Sequence, residues 1–290
     1  MGPYLQSGGS GRGGRPALTV ASSNSESAGE ENDVEKLRLK VQIAMAALLN
    51  LGVFQWHFIC LPVLNCHSCP TSLFACPLGV IGQFAYVGLI PLTVIGAIAL
   101  VGLVAGRILC GWVCPFGLAQ ELLYKVPYVK LAIPRWTRFV KYGVLGGLVV
   151  AVPYFFSPDH PLYFCRVCPV GTIESSIPWA IINGTTNALH LGVRLGILAV
   201  IVVLAMGHRR FFCKVLCPIG ACLSVFNRFA AIFPFRNAKC IDCGTCNRVC
   251  PMECVPNKNP FGVYDDVAEE CISCLECHKK CPTSAIQLWG

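Results

Sequence analysis

Long apolar stretches alternate with polar loops between residues 41 and 207 of the chain. A membrane-spanning helix needs about 20 apolar residues, and four stretches approach that length, at residues 41–64, 84–106, 139–156 and 191–207. The pattern therefore predicts a membrane α-helical fold with four transmembrane helices, over residues 37–236. Residues 1–36 are rich in Gly, Ser and acidic side chains and predict a disordered tail.

The composition excludes two broad classes of protein. Of the 290 residues only 13% are charged, about half the share found in soluble domains, so an ordinary soluble globular protein is excluded. Twenty residues are cysteines. A small secreted disulfide scaffold is excluded as well, because the apolar segments are too long and most cysteines stand at metal-ligand spacings.

The distribution of basic residues orients the predicted helices. Between residues 107 and 141, six Lys and Arg side chains face one acidic residue, Glu121, whereas residues 65–83 contain no Lys, Arg, Asp or Glu. By the positive-inside rule, we expect both termini on the cytoplasmic side of a prokaryotic-type inner membrane that the chain crosses several times. The net charge of +8 is thus an orientation signal, and no nucleic acid partner is expected.

The predicted membrane domain contains an internal repeat of cysteine motifs. Two Cys-x3-Cys-Pro units begin at Cys110 and Cys213, and two Cys-x2-Cys-Pro units begin at Cys66 and Cys165. The partners of each pair are about a hundred residues apart, which predicts a two-fold repeat with two helices per unit. Internal repeats are common in membrane folds, where sites form at the repeat interface.

Cysteine pairs from the two repeat units supply four thiolates, the ligand number of one iron–sulfur cluster. We predict an inner site, on the cytoplasmic side, formed by Cys110, Cys114, Cys213 and Cys217. On the opposite side we predict an outer site, formed by Cys66, Cys69, Cys165 and Cys168, with Cys76 as a spare or substitute ligand. The outer pairs could equally form redox-active disulfides. Three cysteines fit no motif and are expected to be buried thiols: Cys60, Cys222 and Cys254.

Two runs of cysteines near the C-terminus share the spacing Cys-x2-Cys-x2-Cys-x3-Cys-Pro, one beginning at Cys240 and the other at Cys271. This is the bacterial ferredoxin spacing, in which the fourth cysteine of each run binds the cluster of the other. The predicted ligand sets are Cys240, Cys243, Cys246 and Cys281 for cluster 1, and Cys271, Cys274, Cys277 and Cys250 for cluster 2. Zinc ribbons also use paired thiolates, but two complete runs favour [4Fe–4S] clusters. We expect an α+β ferredoxin-like domain over residues 237–290.

The segments CGWVCPFG at 110–117 and CKVLCPIG at 213–220, followed by the two ferredoxin runs, resemble the membrane iron–sulfur subunits of the NapH/MauN type and the iron–sulfur part of NosR. The resemblance covers about 250 residues. It implies electron transfer that involves membrane quinone, together with a partner reductase or dehydrogenase. The chain contains no counterpart of the flavin domain of the NosR type.

These observations lead to one main hypothesis, an electron-transfer subunit of a membrane oxidoreductase of the quinol dehydrogenase type. Electrons would pass between the ferredoxin clusters, the membrane sites and quinone or partner subunits on either face, and no catalytic acid or base is expected. Quinone chemistry needs proton exchange, and an intramembrane ionisable group is a functional candidate. His57 and Arg194 are the candidates for a quinone site, with His190 nearby. The alternatives are a transmembrane thiol–disulfide relay and a cluster-bearing sensor or assembly subunit without turnover.

Overall fold

The fold is mostly helical in the computed structural model. The structure describes residues 24–50, 56–66, 68–69, 72–126, 133–183, 188–227, 229–237, 239–254 and 268–289. A core of apolar side chains draws on residues between Leu49 and Phe226 and includes Leu78, Phe212 and Leu223. A second, smaller group of apolar side chains lies under the C-terminal cysteines and includes Ile272.

The first predicted transmembrane helix, 41–64, is wrong as a single helix. Helix α1, Asn24–Leu49, ends early, and strand β1, Trp56–Cys60, follows and pairs in parallel with β2, Phe74–Ala75. Pro62 lacks the N–H that a helix needs, and Val63 and Leu64 are buried in the protein core. The apolar character at the end of this stretch, at Val63 and Leu64, therefore comes from packing inside the protein. Helix α1 begins within the predicted tail, and the boundary at residue 36 stays a prediction.

The second predicted transmembrane helix, 84–106, is also interrupted. Helix α2, Pro77–Val87, ends at Gly88, whose φ of 76° is left-handed, and helix α3, Leu92–Ala105, begins after Pro91. Glycine takes the left-handed conformation that closes a helix, and proline commonly follows soon after. With 14 residues, α3 is about 21 Å long, which is shorter than the hydrocarbon layer of a bilayer.

Two helices in the described part of the chain are long and apolar enough to cross a membrane, Trp136–Phe155 and Leu189–Gly207. They correspond to the predicted segments 139–156 and 191–207. The first consists of a 3-10 turn at Arg135–Phe139, helix α6 at Val140–Gly143, a π-helix at Val144–Ala151 and helix α7 at Val152–Phe155. Less than a fifth of each apolar window is buried. Such an exposed apolar surface is unlike the core helix of a soluble protein and favours contact with lipid.

The order of helices is the same around both Cys-x3-Cys-Pro motifs. Helix α3 is followed by the five-residue α4, Ile108–Trp112, and the ten-residue α5, Pro115–Tyr124. In the second half, α8, Phe164–Val167, α9, Pro169–Gly171, a π-helix at Thr172–Ser176 and α10, Ile177–Asn183, come first. The long α11, Ala188–Gly207, is then followed by the five-residue α12, Phe211–Val215, and the ten-residue α13, Pro218–Asn227. The matching order supports the repeat read from the cysteine motifs.

The C-terminal part closes on itself through two strands. Strand β3, Phe233–Arg236, pairs antiparallel with β4, Ile286–Trp289, so the two ends of the cysteine-rich region meet. Between them lie α14, Thr245–Val249, a 3-10 turn at Ala268–Glu270, and α15, Glu276–Lys279. This mixture of short helices and strands fits the expected α+β class, while the domain boundary at residue 237 stays a prediction.

Candidate metal centres

The predicted ligands of cluster 1 line one cavity in the C-terminal part, together with Ala285 and Ile286: Cys240, Cys243, Cys246 and Cys281. Three of them come from the first run and the fourth from the second, which is the crossed arrangement expected from the spacing. Gly244 has a φ of 72°, a left-handed conformation that glycine adopts without steric cost. It lets the chain turn between the second and third cysteines.

The predicted ligands of cluster 2 also lie near one another. Cys250 and Cys271 pack against the buried group that contains Ile272 and Cys274, and Cys277 lies in α15, which begins two residues after Cys274. The backbone N–H of Ser273 donates to the Cys271 Sγ at 3.4 Å. Hydrogen bonds to sulfur favour the thiolate that binds iron and help to set a cluster's reduction potential.

The predicted inner-site cysteines line a single small cavity, whose other walls include Val63, Leu64 and Phe116: Cys110, Cys114, Cys213 and Cys217. Cys114, Cys213 and Cys217 are buried. Within the described residues, no three Cys, His, Asp or Glu side chains stand close enough to share one metal ion. Ligands of a cubane cluster stand around four irons, so the relevant feature is the convergence of four cysteines on one cavity.

Two arginines connect the halves of the inner site reciprocally. Arg107 from the first half donates through Nη2 to the carbonyl of Cys213 at 3.5 Å, and Arg210 from the second half donates through Nη1 to the carbonyl of Cys110 at 2.8 Å. A Cβ at Gly220 would lie 3.0 Å from Arg107 Nη2, and one at Gly117 would lie 3.3 Å from Arg210 Nη1. Each Cys-Pro-x-Gly glycine therefore leaves room for the arginine of the other half.

The charges at the inner site fit an anionic group held by four thiolates. The side chains of Arg107 and Arg210 are fully buried, and Arg107 lines the cavity. Among the described residues, Arg107 Nε and Arg210 Nη2 have no hydrogen-bond partner. Buried cations with unused donors are costly unless a negative charge lies nearby, and four cysteine ligands around the same cavity would provide that charge.

Each arginine also has a carboxylate partner. Arg107 Nη1 lies 2.5 Å from Glu270, which also pairs with Lys141, and Arg210 Nε lies 2.8 Å from Glu121. Burial alone would raise the pKa of Glu270, but Arg107 and Lys141 hold it below its ordinary value. Glu121 behaves likewise, because Arg210 and Arg38 outweigh its burial and lower its pKa. Both carboxylates are therefore charged at neutral pH.

The second ferredoxin run is docked directly on the inner site. Cys110 packs against the same buried group as Cys250, Cys271 and Cys274. A Cβ at Gly111 would lie 2.4 Å from the carbonyl oxygen of Ile272, so only glycine permits this approach. The Trp112 indole N–H donates to the carbonyl of Ser273 at 3.0 Å. The inner site and the cluster 2 site thus lie next to each other.

The outer cysteines line a cavity of about 550 Å³, but the set differs from the predicted one. Its lining includes Cys66, Cys165 and Cys168 as predicted, and Cys76 in place of Cys69. Arg194 lines the same cavity and donates to the Ser176 hydroxyl. His190 is partly buried near the start of α11. The side chain of His57, the other quinone candidate, lies outside the described residues.

Sequence reasoning missed the two arginines, although a signal was present. Each arginine stands three residues before the first cysteine of a Cys-x3-Cys-Pro motif, so the repeated motif is Arg-x2-Cys-x3-Cys-Pro-x-Gly. Of the three cysteines expected to be buried thiols, Cys254 is buried, whereas Cys60 and Cys222 are only partly buried.

Comparison with known proteins gives matches in both parts of the chain. A family model described as a 4Fe-4S binding domain matches twice, at residues 87–134 and 189–236, and one described as a 4Fe-4S dicluster domain matches residues 239–286. The double match falls on the two repeat units. No solved structure matches the chain.

Among curated proteins, uncharacterized protein MJ0750 of Methanocaldococcus jannaschii is 30% identical over 200 residues, which cover 63% of this chain and 75% of the relative. Putative electron transport protein YccM of Escherichia coli is 26% identical over 50% of this chain and 41% of its own length. Methylamine utilization ferredoxin-type protein MauN of Methylobacillus flagellatus is 28% identical over 50% of this chain and 48% of its own. The chain thus spans most of the first relative and less than half of the other two.

Proposed function

We propose a function from one premise: the chain belongs to the NapH/MauN/NosR-type family of iron–sulfur electron-transfer proteins. In this proposal it carries single electrons between its C-terminal ferredoxin part and its membrane part, where the inner site continues the path. The observation that carries the proposal is that Cys110, an inner-site cysteine, packs against the buried group that contains Ile272 and Cys274, the same group against which Cys250 and Cys271 of the cluster 2 site pack.

A [4Fe–4S] cluster, when bound, supplies a one-electron store whose potential depends on burial, net charge and hydrogen bonds to sulfur. The residues of this chain would hold three such groups in series. Cys243 is exposed at the cluster 1 site, the cluster 2 site is covered by the membrane part, and the inner site is enclosed by both halves of the repeat. The contacts of Gly111 and Trp112 with the second run keep two neighbouring sites at a fixed separation.

The membrane end of the path is proposed to meet quinone or a partner oxidoreductase. Support comes from the outer cavity, which combines apolar walls such as Leu78, Phe84 and Phe164 with two cations, Arg166 and Arg194. Pockets of this kind suit a ligand with an apolar body and a few polar atoms. Quinol oxidation releases two electrons and two protons, so the site also needs a route for protons. We place both termini, and the ferredoxin part, on the cytoplasmic side.

Iron and acid-labile sulfide content of the full chain, purified without oxygen, tests the inner site. Three clusters would give about twelve irons per chain, and about sixteen if the outer cysteines also hold a cluster. The variant Cys213→Ser should lose about four irons and one paramagnetic signal, while the ferredoxin signals persist. Cys222→Ser, a thiol outside every motif, is the matched control and should retain all iron. A wild-type value of about eight would overturn the proposal, because the membrane motifs would then hold no cluster.

A reduction assay tests the quinone step separately. In proteoliposomes, a quinol should reduce the clusters of the wild-type chain, as measured by loss of visible absorbance and by electron paramagnetic resonance. Cys213→Ser should stay reducible by dithionite through its exposed ferredoxin part but lose reduction by quinol. Equal reduction of both proteins by quinol would show that electrons reach the ferredoxin part without the inner site.

A further inference from the structure

Four cysteines of the membrane part share one local structure. Each begins a Cys-Pro-x-Gly segment, and the proline opens a helix after Cys76, Cys114, Cys168 and Cys217. Backbone angles at the first three agree closely, with φ/ψ of −74°/122°, −68°/115° and −64°/125°. In the segment that begins at Cys217, the N–H of the glycine, Gly220, donates to the cysteine sulfur at 3.4 Å. This segment therefore presents a sulfur whose thiolate is stabilised by a backbone donor.

The inner site shows how this segment is used. It combines two such cysteines, Cys114 and Cys217, with one further cysteine from each half, Cys110 and Cys213. The outer cavity repeats this composition with the other two. Cys76 and Cys168 line it as the Cys-Pro-x-Gly members, and Cys66 and Cys165 line it as the further cysteines. A Cβ at Gly171 would lie 3.7 Å from the Cys66 sulfur, so the two halves meet here.

Cys69 has a different local structure, although proline follows it in the sequence. Ser72 stands where the other segments have glycine, and its N–H donates to the carbonyl oxygen of Cys69 at 3.1 Å. The Ser72 hydroxyl donates to the Phe74 carbonyl and accepts from Asn65. Residues 72–75 form no helix, and the side chain of Cys69 is buried without lining the outer cavity.

The outer cavity is separate from the inner site. Arg194, near the start of α11, lines the outer cavity, whereas Cys213 of the inner site follows the end of the same helix at Gly207. Thirteen helical residues separate Arg194 from Gly207, a rise of about 20 Å. Three charged groups lie beside the outer cysteines: Arg166 and Arg194, which line the cavity, and Glu174, which accepts the Cys66 N–H at 2.8 Å. Two sites of similar composition thus stand at opposite ends of one membrane helix.

We propose that Cys66, Cys76, Cys165 and Cys168 are the ligands of a further [4Fe–4S] cluster at the outer end of the membrane part, and that Cys69 is not a ligand. This inference rests on the proposed function and extends its path toward the opposite face. Binding converts the four thiols to thiolates and releases their four protons. It replaces the predicted set, in which Cys69 was a ligand and Cys76 a substitute.

Three serine variants of the full chain, purified without oxygen, test the ligand set by iron content and electron paramagnetic resonance. Cys76→Ser and Cys168→Ser should each lose about four irons and the same signal. Cys69→Ser is the matched control and should retain both. The ferredoxin signals report on folding in every sample. If Cys76→Ser misfolds, Cys76→Asp provides an oxygen ligand and should keep iron with a shifted signal.

Several outcomes would overturn this ligand set. Loss of iron in Cys69→Ser with full iron in Cys76→Ser would restore the originally predicted set. Full iron in all three variants would mean that no cluster is held there, and a disulfide between Cys66 and Cys69 found by mass spectrometry would point to thiol–disulfide chemistry instead. A wild-type content of about twelve irons would refute this inference while leaving the relay intact, whereas about eight would refute both.

Discussion

The two ferredoxin runs have the same cysteine spacing and very different surroundings. In the first run, the loop at residues 241–244 is exposed, with Ile241 at 64%. In the second run, the equivalent Ile272 is 1% exposed and Ser273 is 2% exposed. Of the twenty cysteines, all of which the structure describes, Cys243 of the first run is the exposed one. Spacing thus predicts the ligands of both proposed clusters but not which of the two sites meets solvent.

The difference comes from contacts with the membrane part. Gly111 and Trp112 touch the loop of the second run, and Asn227 donates to the carbonyl oxygens of Glu269 and Cys271 at 3.1 and 3.0 Å. The first run is contacted near its end, where Arg209 donates to the Val249 carbonyl and Cys250 packs against the same buried group as Cys110. The second run is therefore held against the membrane part by several contacts, whereas the loop of the first run is exposed to solvent.

The largest expected loss of stability comes from substituting Glu270, the residue just before the second ferredoxin run. Glu270→Gln removes the carboxylate shared by Arg107 and Lys141, leaving two buried cations unpaired. We expect a loss of about 3–5 kcal/mol in the free energy of unfolding and a thermal midpoint lower by roughly 10 °C, measured in detergent. Lys239→Gln, at the equivalent exposed position, should change stability by less than about 0.5 kcal/mol.

The pH dependence of folding stability provides a second test of the contribution of Glu270. Because the pKa of Glu270 is lowered, its stabilising contribution is complete above the ordinary carboxyl pKa and is lost as the pH falls through the lowered value. The stability difference between the wild-type chain and Glu270→Gln should therefore shrink at acidic pH. Equal loss of stability in Glu270→Gln and Lys239→Gln would contradict the contrast between the runs.

A smaller loss of stability is expected where Gly111 approaches the backbone of the second run at Ile272. In Gly111→Ala, the new Cβ would lie 2.4 Å from the Ile272 carbonyl oxygen, so the second run must shift. Overpacking of this kind costs about 1–3 kcal/mol, and the displaced loop should broaden or shift the cluster 2 signal in electron paramagnetic resonance. Gly143→Ala is the control, because nothing lies within 4 Å of its Cβ position. A cluster 2 signal that is unchanged in Gly111→Ala would argue against direct docking.

Much of the cysteine chemistry could be predicted from the sequence, because ligand spacing is local. The four cysteines of cluster 1 and the four of the inner site line one cavity each, as their motifs predicted. At the outer site a local difference was also present, since Gly79 follows Cys76 and Ser72 follows Cys69 at the same distance. The proposal of Cys76 as a ligand still required the fold, which brings Cys76 to Cys165 and Cys168 across about ninety residues of chain.

The hydropathy pattern predicted the membrane helices less well than the motifs predicted which cysteines converge, for a physical reason. Hydropathy records that a segment avoids water but not whether lipid or protein surrounds it. Val63 and Leu64 are apolar because they cover the inner site, whereas the exposed Leu189 and Val203 of α11 face outward. The helix break at Gly88 and Pro91 could be predicted from the residue types. The ion pair between Arg107 and Glu270, 163 residues apart, could not be predicted from the hydropathy pattern.

The smallest expected effect isolates one hydrogen bond of the junction. Trp112→Phe keeps most of the ring but removes the N–H that donates to the Ser273 carbonyl at 3.0 Å. The expected cost is about 1 kcal/mol, together with faster hydrogen exchange of the backbone N–H groups in the second run and no change in the first. Trp136→Phe, at an indole that is 66% exposed, should leave both runs unaffected. Faster exchange in the first run as well would mean that the two runs open together, and the docked run would then be no more rigid than the exposed one.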